Sequence, residues 1–303
     1  MLQCSLMHLS LTAVLPDFSL LPPWFGYVIV GALGAIVGSF LNVVIHRLPR
    51  EESIVLPSSR CPACGTAIAF YDNVPVLSYL VLRGRCRACK THISARYPAV
   101  EALTAALWLI VAWHDGITLA LPFDLVFVTA ITALVFIDAE HMLLPNAITY
   151  PGIMFALVAR LAIPYLMGQP YFDDLHALVN GALAGMPLWA ASLVGALIGA
   201  LVGGGSLWLM GWTWEKLRGI ELIGLGNVKM MLMVGAYLGW RLTVLNIFLG
   251  MLCVIVIVPM LWLQRGTRDM NLLLPSGVFL GVGAVIALLF GSEIVSWYAG
   301  LYR

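Results

Sequence analysis

Three short stretches of this sequence carry side chains that can do chemistry. RCPACG and GRCRACK supply Cys61-x2-Cys64 and Cys86-x2-Cys89, with segment 65–85 between the pairs. Each pair can present two thiolates to one tetrahedral ion, and the spacer lets the second pair fold back on the first. Zinc is expected here rather than a disulfide framework. Four protein ligands leave it no open position for a catalytic water, so it would staple a loop with too little apolar content to fold alone. ALVFIDAEHMLLPN places Asp138 at the end of an apolar run, ahead of Pro145 and Asn146. A carboxylate at a membrane boundary is a functional candidate; it is equally a solvated helix end, where Asp138, Glu140 and His141 reach water. ELIGLGNVKMM puts Gly224-Leu225-Gly226-Asn227 at the mouth of another apolar run. Two glycines one residue apart permit a tight turn with close backbone approach, and a carboxylate would make more chemical sense there than an amide. Taken alone, the stretch reads as a loop-to-helix transition with Asn227 as N-cap.

The elements that must hold these groups are membrane helices. Of 303 residues, 61% are hydrophobic and only 10% charged, against about a quarter charged in a soluble domain. Mean hydropathy is +0.97. Apolar runs of about 20 residues recur, which predicts an all-α polytopic membrane protein. About eight spans are expected, at 26–46, 97–114, 121–139, 147–167, 190–213, 227–240, 242–264 and 275–299. The sixth is short and contains glycine, so it is expected to be tilted, broken or re-entrant. Segment 1–23 lacks a basic start, a compact apolar block and a small-residue cleavage site, so no cleaved signal peptide is expected. Segment 47–96 holds half of the 16 basic residues, opposed only by Glu51, Glu52 and Asp72. By the positive-inside rule this cysteine-bearing loop is cytoplasmic. Counting spans, the loops with Asp138 to Asn146, Lys216 with Arg218, and Gln264 to Asp269 share that side, and Asp115, Asp173 and Asp174 lie opposite. Arg160 and Arg241 run against this asymmetry. A disulfide is disfavoured in such a reducing compartment.

The combination is more specific than its parts. IDAEHMLLPN, GLGNVKMM, GSFLNVVIHRLPR, the paired C-x2-C and RYPAVEALT occur together in one chain. The set resembles the bifunctional type IV prepilin peptidases, the leader peptidase/N-methyltransferases of pilus and type II secretion systems, over about residues 26 to 290. The resemblance implies a Gly-x-Gly-Asp membrane aspartic protease of the bacterial inner membrane, with one catalytic carboxylate at Asp138. The other belongs at the position of Asn227, where this sequence departs from the family while keeping Gly224, Gly226 and Lys229. It further implies cleavage of prepilin or pseudopilin leaders on the cytoplasmic side, after a Gly. It also implies methylation of the new amine by S-adenosylmethionine, associated with residues 1–96, while 97–303 form the peptidase. No Gly-x-Gly-x-x-Gly signature marks a methyl-donor site. Asn42, His46, Arg47 and Glu101 stand at the loop's membrane boundaries as candidates for it, or as helix caps and loop ties.

Other features have plainer readings. Cys4 and Cys253 are isolated and read as small apolar residues. Gly203-Gly204-Gly205 reads as a close helix crossing, Trp208, Trp212 and Trp214 as an interfacial belt, and Met230, Met231 and Met233 as adaptable packing. Nothing points to nucleic acid. Rival readings are an ion-coupled transporter using Asp138, which wants polar residues deep in several spans, and a non-catalytic, zinc-stapled scaffold for pilin-like helices.

Overall fold

The computed structural model describes residues 22–219, 223–265 and 275–301. Cys4, the reading of the first residues as uncleaved and most of the loop at 264–269 lie outside them. The described chain is helical and forms no strand beyond two isolated bridges. In order the helices are α1 (Pro23–Arg47), α2 (Leu77–Val81), α3 (Arg96–Asp115), α4 (Leu121–His141), α5 (Asn146–Met167) and α6 (Asp173–Val179). Then follow α7 (Leu188–Ala200), α8 (Ser206–Arg218), α9 (Leu225–Leu238), α10 (Trp240–Arg265) and α11 (Ser276–Gly300). A π-helical turn, Leu201–Gly205, joins α7 to α8 into one rod.

Every expected span is a helix, in keeping with about eight spans. Six helices are long and apolar enough to cross a membrane: α1, α4, α5, the α7–α8 rod, α10 and α11. Helix α3 has the length, yet Glu101, His114 and Asp115 dilute its hydropathy. Helix α9 has 14 residues, about 21 Å at 1.5 Å per residue, against a hydrocarbon core of about 30 Å.

Lipid tails are as apolar as these side chains, so close packing must come from small residues that let backbones approach. Gly34 and Gly38 of α1 face α3: a Cβ at Gly38 would lie 2.7 Å from the Glu101 Cα, and one at Gly34 3.0 Å from the Ala105 Cα. A Cβ at Gly199 or Gly203 would collide with the carbonyls of Gly235 or Met231 on α9. The glycine run is thus a helix crossing, as expected. Helix α9 is the buried centre, with Met230, Met231 and Met233 all enclosed. Tyr237 near its end stacks on Phe127 of α4, with centroids 4.2 Å apart. Trp208, Trp212 and Trp214 are exposed, with Lys216 over the Trp212 ring and Arg218 over Trp214, as an interfacial belt requires.

A helix ending inside a bilayer leaves carbonyls that water cannot reach. Helix α9 ends among buried residues, at Gly239 with φ +82°, and α10 begins on the next residue. Arg160 of α5 meets the need: its Nε donates to the carbonyls of Ala236 (3.1 Å) and Tyr237 (3.0 Å), and its Nη1 to Asp174 Oδ1 (2.7 Å). Both charged side chains are fully buried. Arg241 pairs with Asp173 at 3.1 Å. The two arginines that violated the charge asymmetry are therefore a buried helix cap and an ion-paired residue beside it. We expect Asp174→Ala to cost about 3–5 kcal/mol, because it strands a buried guanidinium. Arg160→Met with Asp174→Leu should recover only part, since the α9 carbonyls stay uncapped; thermal unfolding in detergent of the two variants compares them.

Candidate active site and metal centre

Three helix ends meet at one end of the bundle. Helix α4 runs toward it and carries Asp138 in its last turn, 4% exposed. Helix α9 starts there: Gly224 is the N-cap and Asn227 the third helical residue. Asn227 is therefore not an N-cap; its side chain is free of that duty and turns to a neighbour. Gly224 has extended, negative-φ backbone and nothing within 4 Å of a built Cβ, so no close approach requires a glycine there. Gly226 does meet that need, since its Cβ would lie 3.1 Å from Leu144 Cβ in the turn after α4. Lys229 Nζ donates to Asn146 Oδ1 at 2.9 Å and lies over the Tyr150 ring, tying α9 to α5.

The third end is the start of α11, which no motif in the sequence singles out. Val278 N–H donates to Asp138 Oδ2 at 3.1 Å, and Asn227 Nδ2 donates to Ser276 Oγ at 2.8 Å. Between them lies Gly277. A Cβ there would stand 2.8 Å from Asp138 Oδ2 and 3.3 Å from Asn227 Oδ1, so the two oxygens flank one small gap. Asn227 Oδ1 is buried and accepts no hydrogen bond from the described residues.

The cysteine loop folds as two near-identical knuckles. Cys61 N–H donates to the Thr66 carbonyl and Gly65 N–H to that of Cys61; Cys86 N–H to Thr91 and Lys90 N–H to Cys86 repeat the pattern. RCPACGTA and RCRACKTH are the sequence trace of this repeat. All four Sγ atoms lie within 4.8 Å of one another, and those of Cys61 and Cys89 are 3.8 Å apart. Ligands at 2.3 Å on a tetrahedron stand about 3.8 Å apart, so the four thiols fit one metal ion. The Thr91 hydroxyl and N–H beside Cys89 hold that thiol down to about 6, which favours the ligating thiolate.

A cavity of about 670 Å³ lies between this loop and helices α1 and α3. Asn42, His46, Arg47 and Glu101 all line it. Asn42 Nδ2 donates to the Tyr97 carbonyl at 3.0 Å, while its buried Oδ1 has no partner among the described residues. Glu101 Oε2 accepts the Val76 N–H at 2.7 Å; Val76 is held at φ +60°, a strained conformation for a β-branched residue. Arg47 Nη1 donates to the Ser53 carbonyl and His46 Nδ1 is 3.2 Å from Arg50, so both also tie the loop. Arg96, at the start of α3, pairs with Glu140 two residues beyond Asp138, linking the cavity's rim to the α4 end.

Fold and sites together define a multi-pass, all-helical membrane protein with a tetracysteine loop that fits a metal ion and paired polar groups at its helix ends. The chain matches the Bacterial Peptidase A24 N-terminal domain over residues 32–115 and the Type IV leader peptidase family over 125–259. It is 35% identical to the prepilin leader peptidase/N-methyltransferase of Pseudomonas aeruginosa over 88% of this chain and 91% of that protein. It is 32% identical to that of Legionella pneumophila, over 92% and 96%. The Myxococcus xanthus protein of the same name is 40% identical over 74% of this chain and 60% of the relative. No solved structure matches it. The chain belongs to the type IV leader peptidase family.

Proposed function

We propose that this chain is a prepilin leader peptidase/N-methyltransferase whose peptidase centre is Asp138 with position 227, and that Asn227 silences cleavage. The observation carrying this reading is the shared gap at Gly277, which an oxygen of each side chain faces. Two carboxylates so placed cannot both ionise cheaply, so they share a proton. The ionised member takes a proton from the attacking water; the protonated one polarises the scissile carbonyl and later protonates the leaving amine. Asn227 keeps the shape and hydrogen bonding of Asp but cannot titrate. The leader binds and stays uncut. Cleavage of a prepilin by the Asn227→Asp chain, and not by the parent chain, tests this; activity in the parent would remove position 227 from the dyad.

The substrates are leaders of type IV prepilins or type II secretion pseudopilins, with the apolar stem lying in the bilayer beside the enzyme. The basic loop 47–96 supports a cytoplasmic active site in a bacterial inner membrane. Zinc fits the four thiols as a closed structural ion. The donor S-adenosylmethionine, when bound, supplies an electrophilic methyl group to the new α-amine. The cavity between the loop, α1 and α3 is where we place its binding, with Asn42 Oδ1 and the Glu101 carboxylate facing it and residues 1–96 forming most of its wall. Glu101→Gln keeps an acceptor for Val76 but removes a negative charge facing a cationic donor. It should raise the donor's KM by about tenfold and leave leader cleavage by the Asn227→Asp chain unchanged. An unchanged KM would move the donor elsewhere. The scaffold reading retains one distinguishing outcome: no cleavage even with Asn227→Asp.

A further inference from the structure

The dyad reading accounts for Asp138 and position 227, but not for the segment that grips both. We propose that the first turn of α11 is the third component of the peptidase site: Gly277 is its floor, and Ser276 is a positioning residue for the group at 227. This rests on the dyad reading above and adds residues that it does not contain.

The argument begins with packing. Gly277 and Gly281 form a Gly-x3-Gly spacing on α11, and a Cβ at Gly281 would overlap Val135 of α4. Small residues so spaced bring helix backbones together, and here they draw the start of α11 onto the end of α4. At Gly281 the missing side chain makes room for a neighbour's side chain. At Gly277 the room lies against Asp138 Oδ2 and Asn227 Oδ1, the side of the dyad that a substrate must approach. A methyl group at 277 would occupy that volume.

The hydrogen bonds follow the same division. One oxygen of Asp138 is held by Val278 N–H, a donor shared with the Pro275 carbonyl. The nitrogen of Asn227 is held by Ser276 Oγ, and its oxygen is left free beside the gap. When position 227 carries a carboxylate, an acceptor oxygen replaces the Nδ2 donor, and the Ser276 hydroxyl must reverse and donate. Each carboxylate then has one oxygen tied to α11. At position 227 the other points to where the shared proton and water work. Ser276 thereby stabilises the ionised form at 227. Charged groups on the surrounding elements are Asp138, Glu140 and His141 on α4, Lys229 on α9, and Arg96 of α3 paired with Glu140. Helix α11 itself brings no ionisable residue before Glu293.

The test uses the full chain with Asn227→Asp, reading leader cleavage and, separately, methylation of a precleaved pilin peptide. Adding Gly277→Ala should reduce cleavage at least ~100-fold, the scale of a reacting group displaced by an ångström, while methylation persists. Val282→Ala, on the exposed side of α11, should change neither. Adding Ser276→Ala removes a donor to the charged form, so the acidic limb of kcat/KM should move up by about one pH unit; Ser276→Thr should restore it. Cleavage within threefold of the Asn227→Asp chain after Gly277→Ala, or loss of methylation together with cleavage, overturns the role of Gly277. An unmoved pH profile in Ser276→Ala overturns that of Ser276. No cleavage by Asn227→Asp alone instead sinks the dyad reading itself, and this proposal with it.

Discussion

The Asn227→Asp chain is expected to cut a prepilin leader at least about 10³-fold faster than the chain with Asn227, the scale of losing a positioned acid or base. The physical reason lies in what Asn227 retains and what it lacks. Its Nδ2 still reaches Ser276 Oγ at 2.8 Å, and its Oδ1 still faces the gap at Gly277. Folding and leader binding should therefore differ little between the two chains. The amide does not ionise near neutral pH and so cannot serve as general acid or base, which leaves Asp138 as a base with no acid partner. The restored pair should give a bell-shaped kcat/KM profile whose two limbs belong to the pair rather than to either residue. The parent chain should co-purify with an uncut prepilin more readily than the restored one. Gel mobility of the pilin and its N-terminal mass provide the measurement. Equal cleavage by both chains would show that position 227 carries no proton in the reaction.

The second large effect is expected at the cysteine loop. Atomic absorption should find one zinc per chain, and Cys61→Ser with Cys86→Ser should abolish it. Structural zinc sites contribute on the order of 10 kcal/mol to the folding of small domains, and among the described residues of this loop little else could replace that. No residue of α2 is buried, and the Arg87–Asp72 pair is exposed at the guanidinium. Chelation or the double substitution should therefore unfold residues 51–95, seen as rapid proteolysis confined to that segment. Methyl transfer should be lost with it, because the loop forms one wall of the 670 Å³ cavity. Ligation needs deprotonated thiols, so acidification should release the ion and unfold the same segment. Full methyl transfer by a metal-free chain would exclude the stapling role.

Much of the site was legible because its signals are local. A C-x2-C pair, Asp138 ahead of Leu-Leu-Pro-Asn, and Gly-Leu-Gly-Asn are each recognisable within one short stretch. Ser276 and Gly277 were not, since a glycine at the mouth of an apolar span has no side chain to mark it. It matters only through what it leaves empty. Arg160 stands in the sequence as an exception to charge asymmetry, because its partners, Asp174 and the α9 carbonyls, are 14 and 76 or more residues away. Asp124 carries no local signal for the same reason: Tyr171 and Tyr237 donate to its two oxygens from elements far along the chain. Buried polar groups in spans would also suit a transporter. Here Asp124 and Arg160 are engaged in holding helices together.

Residue types and their spacing were enough to give the lipid surroundings, the helices, the paired thiols and the amide at position 227. These follow from residue type and short spacing, which need no knowledge of neighbours. The meeting of α4, α9 and α11 at one point, with Gly277 beside Asp138 and Asn227, belongs to the tertiary structure alone. The reason is physical. In a soluble helix the apolar stripe announces the buried face, whereas helices in lipid are apolar on every side. Their faces are chosen instead by which backbones can approach and which polar atoms find partners, and both depend on residues distant in the chain.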